Sequence, residues 1–122
     1  MAQTLVSGKH KLVFTRQVND CVAEDSKFAA FVWKSLLRFN RGDWGDVADE
    51  DWKANDETLK SLNADYKEGC TRHSGGWNGR ILAVYCNYGD SGKILEWKIY
   101  IIRNTAEVDG TQAITVLFPD EY

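Results

Sequence analysis

Residues 41–52, with the sequence RGDWGDVADEDW, concentrate five carboxylates and two tryptophans in a short stretch. Asp43, Asp46 and Asp49 recur every three residues. Carboxylates at such spacing could bind a hard cation or act as a general acid and base pair. The calcium-loop pattern, with a central glycine and a terminal glutamate, is absent. The competing interpretation is structural, because the unpaired N–H groups at the start of a helix favour acidic side chains.

A second possible ligand set consists of Cys70, His73 and Cys86. A structural zinc site takes four ligands, and no fourth ligand stands at a matching interval. Together with Cys21, the cysteines are odd in number and unclustered, which favours reduced thiols over a disulfide framework. A catalytic triad needs a histidine as its base, and His10 and His73 are the only histidines, so a triad-type hydrolase is disfavoured. We therefore expect no cofactor and no resident metal.

The tryptophans divide between two roles. Trp52 and Trp97 fall at positions where periodicity predicts a core, and Trp44 is expected to fold back onto the helices. Trp77 stands in a polar, glycine-containing stretch, so both a core role and a role as an anchor for a protein partner stay open.

Composition bounds the class of protein. At 122 residues, with 43% hydrophobic and 27% charged residues, the chain is expected to form one globular domain over 1–122. A net charge of −3 and a pI near 5.3 disfavour direct binding to nucleic acid or to an anionic membrane. No segment approaches the ~20 apolar residues of a membrane span, and the first residues lack a signal-peptide pattern, so we expect a cytoplasmic protein.

The elements that position these residues follow from periodicity. Apolar residues recur at intervals of three and four from Val18 to Phe39, and Asp25 or Ser26 can cap a helix over 26–39. Gly42 is the predicted stop of that helix. A further helix carries a stripe formed by Ala48, Trp52, Asn55, Leu59, Leu62 and Tyr66. The amide of Asn55 lies on this stripe, so we expect it to bond to backbone, in the 40–46 loop.

The second half of the chain has the pattern of strands. Runs of β-branched and aromatic residues at 81–86, 94–102 and 114–118 are separated by polar, glycine-containing segments, which predicts an antiparallel meander. Lys11–Thr15 has the pattern either of a short strand or of the lead-in to a helix. Segments 1–10 and 67–80 are predicted to be flexible.

We predict an α+β fold on this basis. Two or three N-terminal helices pack on one face of a three-stranded antiparallel sheet, or of a four-stranded one if Leu12–Thr15 joins it.

Several short motifs are shared with a known family. They are GDWG at 42–45, Glu50-Asp51, Asn55, LAVY at 82–85, KIYII at 98–102, and VLFPDEY at 116–122, with the lead-in TRQVND at 15–20. On these motifs the chain resembles, over most of 15–122, a family of small uncharacterised bacterial proteins found on plasmids, phages and other mobile elements. Relative to that family, 61–77 looks like an insertion.

The resemblance implies a setting. Phages and plasmids encode many small acidic inhibitors of host immunity, so it implies a counter-defence role of the anti-CRISPR or anti-restriction type. The partner would then be a host defence complex or a nucleic-acid enzyme.

Taken together, the sequence favours a non-enzymatic protein-binding module. The alternatives are a small metal-dependent enzyme or metal-binding protein that uses the acidic 43–51 segment, and an acidic mimic of DNA. The candidate binding residues are Asp43, Trp44, Asp51, Asn55 and Trp77. No catalytic residue is predicted.

Overall fold

Helices occupy the first half of the described chain and strands most of the second. The computed structural model describes residues 10–67, 80–89, 92–105 and 112–122. In chain order the elements are β1 (His10–Phe14), α1 (Arg16–Glu24), α2 (Ser26–Asn40), α3 (Asp49–Lys67), β2 (Ile81–Tyr88), β3 (Leu95–Thr105), β4 (Gln112–Leu117) and a short 3-10 turn (Pro119–Glu121). The predicted α+β class is confirmed, with its helices N-terminal to most of the sheet.

Side-chain caps place the first two helices. The N–H of Val18 donates to Oγ1 of Thr15 at 3.3 Å, which starts α1. Asp25 ends α1 and starts α2, because its Oδ1 accepts from the N–H groups of Lys27 and Phe28 at 2.9 and 3.2 Å. The predicted cap at Asp25 is therefore confirmed, and the two helices meet at one residue.

The sheet has the strand order β1-β4-β3-β2. Strands β2, β3 and β4 form the predicted antiparallel meander. The prediction of an all-antiparallel sheet is wrong at one pair, because β1 joins as a fourth strand and runs parallel to β4, with Leu12 opposite Ile114. Hairpin loops dictate the direction of the meander, whereas β1 reaches β4 from the other end of the chain and no short loop sets its direction.

The core lies between α1, α2 and α3 and one face of the sheet. From the helices it receives Val18, Phe28, Val32, Phe39 and Leu59, and from the strands Ile81, Ala83, Tyr85, Ile99, Ile101, Ile114 and Val116. Trp52 and Trp97, predicted to be core residues, are partly buried against this cluster. Among the described helices, none is long and apolar enough to cross a membrane.

The last motif of the chain is tied to the start of α1. Oε1 of Glu121 accepts from Oγ1 of Thr15 at 2.8 Å and from the N–H of Phe118 at 2.9 Å. Tyr122 lies edge-on to Tyr100 at 5.8 Å between ring centroids. These contacts give the C-terminal VLFPDEY a structural role as a clasp.

Segments 1–10 and 67–80, predicted to be flexible, lie outside the described residues apart from His10, Lys67 and Arg80. The prediction of a single domain over 1–122 stays a prediction.

Candidate functional site

Helix α2 ends in a turn that sends the chain toward β2. The N–H of Gly42 donates to the carbonyl of Phe39 at 3.1 Å, and the N–H of Asp43 donates to the carbonyl of Arg38 at 2.9 Å. Gly42 has a positive φ of 80°. The predicted glycine stop is confirmed, and these two bonds make it a Schellman motif.

Residues 44–46 then lie along the outer edge of β2. The N–H of Val84 donates to the carbonyl of Trp44 at 3.1 Å, and the N–H of Asp46 donates to the carbonyl of Val84 at 2.7 Å. Gly45 stands opposite Val84 in a short parallel bridge. A Cβ at Gly45 would overlap the carbonyl oxygen of Val84, so this close approach requires glycine.

The buried side chain of Trp44 anchors the loop to the core. It is fully buried and meets Phe39 edge-on, with 5.3 Å between ring centroids. Its indole Nε1–H donates to Oδ1 of Asp56 on α3 at 2.8 Å, which satisfies the one polar atom of the ring. The predicted core position of Trp44 is confirmed.

Asn55 closes the next stretch of the same strand edge. It is buried, and its Nδ2 donates to the carbonyl of Leu82 at 2.8 Å. Asn55 does bond to backbone as expected, but the predicted partner was wrong, since the acceptor belongs to β2 and not to the 40–46 loop. The reason is that the 40–46 loop forms backbone hydrogen bonds with Val84, two residues further along β2.

Asp43 and Arg38 form the charged part of the corner. The guanidinium Nε donates to Oδ2 of Asp43 at 2.8 Å, and Nη2 donates to Oδ1 at 3.2 Å. The hydrogen bond from Arg38 holds the pKa of Asp43 below its ordinary value. The same hydrogen bond raises the pKa of Arg38.

The backbone of Asp43 is held from the other side by Tyr85. The Tyr85 hydroxyl donates to the Asp43 carbonyl at 2.6 Å, and the Arg38 guanidinium lies 5.1 Å above the ring. Burial raises the pKa of Tyr85 well above its ordinary value, so the phenol stays a neutral donor at physiological pH.

Of the remaining predicted site residues, Asp51 is exposed in the first turn of α3 beside Asp49 and Glu50. Its position matches the helix-start role of acidic residues. Trp77 lies outside the described residues.

The metal-binding alternative has no cluster of ligand residues in the part of the chain that is described. There, no three His, Cys, Asp or Glu residues stand close enough together to hold a metal ion. Cys70 and His73 lie outside that part. Burial, followed by a hydrogen bond to Asp46, raises the pKa of the Cys86 thiol, which disfavours a reactive thiolate.

The 42–55 region therefore brings Asp43, Trp44 and Asn55 together at one strand edge. The side-chain amide of Asn55 and the indole of Trp44 are buried and bonded within the protein, and the carboxylate of Asp43 is held by Arg38 and by the N–H of Gly45 at 3.1 Å. This arrangement is suited to holding a loop on β2. Among the candidate binding residues that the structure describes, Asp51 is the exposed one.

The structure has two surface grooves that the sequence did not predict. The first, called here the aromatic groove, lies between α2 and the β2–β3 hairpin and has a volume of about 500 Å³. It is lined by Lys27, Ala30, Phe31, Lys34, Asn87, Tyr88, Gly89, Glu96 and Trp97. The rings of Phe31 and Trp97 stack at 5.8 Å with an interplanar angle of 26°.

The second, called here the apolar groove, lies between α2 and β1 and has a volume of about 560 Å³. It is lined by Leu12, Trp33, Leu36, Leu37, Phe39, Asn40 and Ile114. Leu12, Trp33 and Leu37 are 47%, 50% and 63% exposed. Their spacing held a signal, because Trp33 and Leu37 are one turn apart and lie off the stripe that runs from Phe28 to Phe39.

The sequence analysis also did not predict a buried charge on β3. Arg103 lies on the core face of β3 and is 2% exposed. Burial lowers its pKa to about 10, so it stays protonated at neutral pH. Its alternation with Ile99 and Ile101 along the strand was the available signal.

Comparison of the chain with protein-family models, with curated proteins and with solved structures found no match.

Proposed function

We propose that the chain is a non-enzymatic protein-binding module that contacts its partner through the aromatic groove. One observation carries the proposal. The stacked pair of Phe31 and Trp97 forms an aromatic floor, and Tyr88 stands beside it 51% exposed. Aromatic side chains at the centre of a patch with polar residues around it are the usual anatomy of a protein interface.

Charge defines the kind of partner segment. Lys27 and Lys34 stand two helical turns apart on α2, with Phe31 between them, and both are exposed. Glu96 and Asn87 line the opposite wall, with Nδ2 of Asn87 3.5 Å from Oε2 of Glu96. A segment that sets an apolar side chain on the rings and a carboxylate toward the lysines would complement both features.

The setting of this activity comes from the family resemblance. It supports a protein of a mobile genetic element that acts in the cytoplasm as an inhibitor of a host defence complex, of the anti-CRISPR or anti-restriction type. A bound inhibitor of this kind works by occupying a surface and needs no catalytic group.

Affinity capture from a bacterial host lysate, quantified by mass spectrometry, tests the proposal. The test variant is Lys27→Glu with Lys34→Glu. The matched control is Lys53→Glu with Lys60→Glu, which makes the same change of net charge seven residues apart on the exposed side of α3. A third variant, Tyr88→Ala, removes the exposed ring.

We expect at least one host protein that the wild type and the α3 control retain equally and that the groove variants lose by about tenfold or more, equivalent to ~1.4 kcal/mol of binding free energy. The proposal is overturned if the captured proteins are the same for all variants, or if the wild type retains none above an unrelated protein of equal charge.

A further inference from the structure

We infer that two copies of this chain associate through the outer edge of β1, so that their sheets become continuous and their apolar grooves meet across a two-fold axis. This surface differs from the aromatic groove, so the inference goes beyond the proposed function and stands or falls separately.

The first observation is an unpaired strand edge. β1 is the outermost strand, and within residues 10–67, 80–89, 92–105 and 112–122 its only strand partner is β4. The N–H of Thr15 donates to the carbonyl of Val116 at 3.2 Å, with Phe14 in register with Val116. Backbone groups alternate in direction along a strand, so Lys11 also points its N–H and C=O toward β4.

By the same alternation, Leu12 and its neighbours two residues away point their N–H and C=O groups outward. An edge with free donors and acceptors is a template for another strand. The side chain of Leu12 faces the helices, since it lines the apolar groove together with Trp33. The ring of Phe14, on the same face, lies 5.9 Å from that of Trp33.

The second observation is that the edge is self-complementary. An antiparallel pairing centred on Leu12 sets Leu12 opposite Leu12 of the second copy and His10 opposite Phe14, and in each of these pairs the outward groups exchange two hydrogen bonds. On the other face Lys11 falls opposite Val13, so the pairing places no like charges directly opposite each other.

The third observation concerns the chemistry of the groove. Its described lining contains no charged side chain, and Asn40 is the one polar residue in it. A charged peptide or a nucleic acid finds no complementary group there, whereas an identical apolar surface does. In the two-fold arrangement Leu12, Trp33 and Leu37 of both copies form one continuous patch, which removes exposed apolar area from water.

The size of the surface sets the expected strength. One short strand and three large side chains lie at the low end of stable interfaces, so we expect a dissociation constant on the order of 10 µM. A two-fold dimer is also the commonest closed assembly for identical chains.

Sedimentation velocity between roughly 1 and 500 µM, a range that brackets this value, tests the inference with Leu12→Pro and Leu12→Ala. Both variants lose the leucine side chain, but only the proline removes the outward N–H, and it leaves the bonds to β4 in place. We expect the wild type to dimerise, Leu12→Ala to weaken the dimer several-fold, and Leu12→Pro to be monomeric throughout. Circular dichroism at the lowest concentration checks that each variant is folded.

Disulfide cross-linking gives a second readout that does not depend on the proline. In a background with Cys21, Cys70 and Cys86 changed to serine, Leu12→Cys should cross-link to its copy, because residues directly opposite lie ~5.5 Å apart. Lys11→Cys should not, because its copy is diagonal at about 7–8 Å.

A wild type that stays monomeric over the whole range overturns the inference and would leave the edge to a strand of a different protein. Equal dimerisation of the proline and alanine variants, or equal cross-linking of the two cysteine variants, overturns the proposed register.

Discussion

The two edges of the sheet are finished differently. At β2, the backbone of Trp44 and Asp46 bonds to Val84, and the side chain of Asn55 bonds to Leu82, so the edge is covered by a loop and a helix. At β1, the outward backbone groups have no strand partner among the described residues, and the neighbouring groove exposes Leu12 and apolar residues of α2.

The difference gives the polar groups of the 42–55 segment a structural role. A strand edge must be covered, charged or paired to avoid unwanted association. The GDWG motif and the asparagine one helical turn past Asp51 do this at β2 by supplying backbone and amide groups in strand-like positions. No described segment covers β1 in this way, and this is why association is inferred there.

The largest expected effect comes from Trp44 beside the edge at β2, and Trp33 beside β1 serves as its comparison. Trp44→Ala empties a fully buried site and should lower the free energy of unfolding by about 3–5 kcal/mol. Trp33→Ala, at a half-exposed site, should cost less than about 1 kcal/mol in the monomer. Urea denaturation at low protein concentration measures both, and equal losses would contradict the contrast between a closed and an open edge.

A smaller effect is expected from the glycine on which the closed edge depends. Gly45→Ala must move the loop off Val84, and should cost about 2 kcal/mol more than Gly92→Ala. Gly92 is the matched control, because its φ of 71° is close to the 75° of Gly45 and, among the described residues other than its chain neighbours, no atom lies within 4 Å of the added Cβ. Thermal unfolding of the pair isolates the close approach, and similar melting temperatures would show that the loop is not held against the strand.

The smallest effect should come from the charge at the corner. The pKa of Asp43 is lowered in the folded protein by its hydrogen bond from Arg38. The pair therefore adds stability above the unfolded pKa of about 3.9 and loses it as the pH falls through the folded pKa. Because both side chains are more than a third exposed, solvent screening should keep the cost of Asp43→Asn under about 1 kcal/mol at pH 7.

The free energies of unfolding of Asp43→Asn and of the wild type should therefore become equal at pH values below the folded pKa of Asp43. Asp20→Asn on the exposed side of α1 is the control. A difference that stays constant from neutral to strongly acidic pH would show that the charge of Asp43 is not responsible.

Local sequence signals were sufficient for many elements. The spacing from Phe28 to Phe39 predicts α2, Asp25 predicts its cap, and Gly42 predicts its stop, because each depends on groups within a few residues. The three strands of the meander follow from their β-branched runs and the loops between them. The core position of Trp44 also agrees with expectation.

Contacts between segments that are distant in the chain could not be predicted from these local signals. The parallel pairing of β1 with β4, the choice of Leu82 as acceptor for Asn55, and the docking of Gly45 on Val84 each join segments far apart in sequence. No periodicity encodes which of several chemically equivalent carbonyls an amide will meet, because all of them offer the same acceptor.

The sequence by itself determined where the chain is helical or extended, since propensity, capping and hydrophobic spacing are local properties of the chain. Only the tertiary structure decided that the acidic GDWG corner covers the edge at β2, while the edge at β1 has no strand partner among the described residues. That outcome depends on which strands become outermost when the helices and sheet bury their apolar faces together, and this is a property of the whole packed chain.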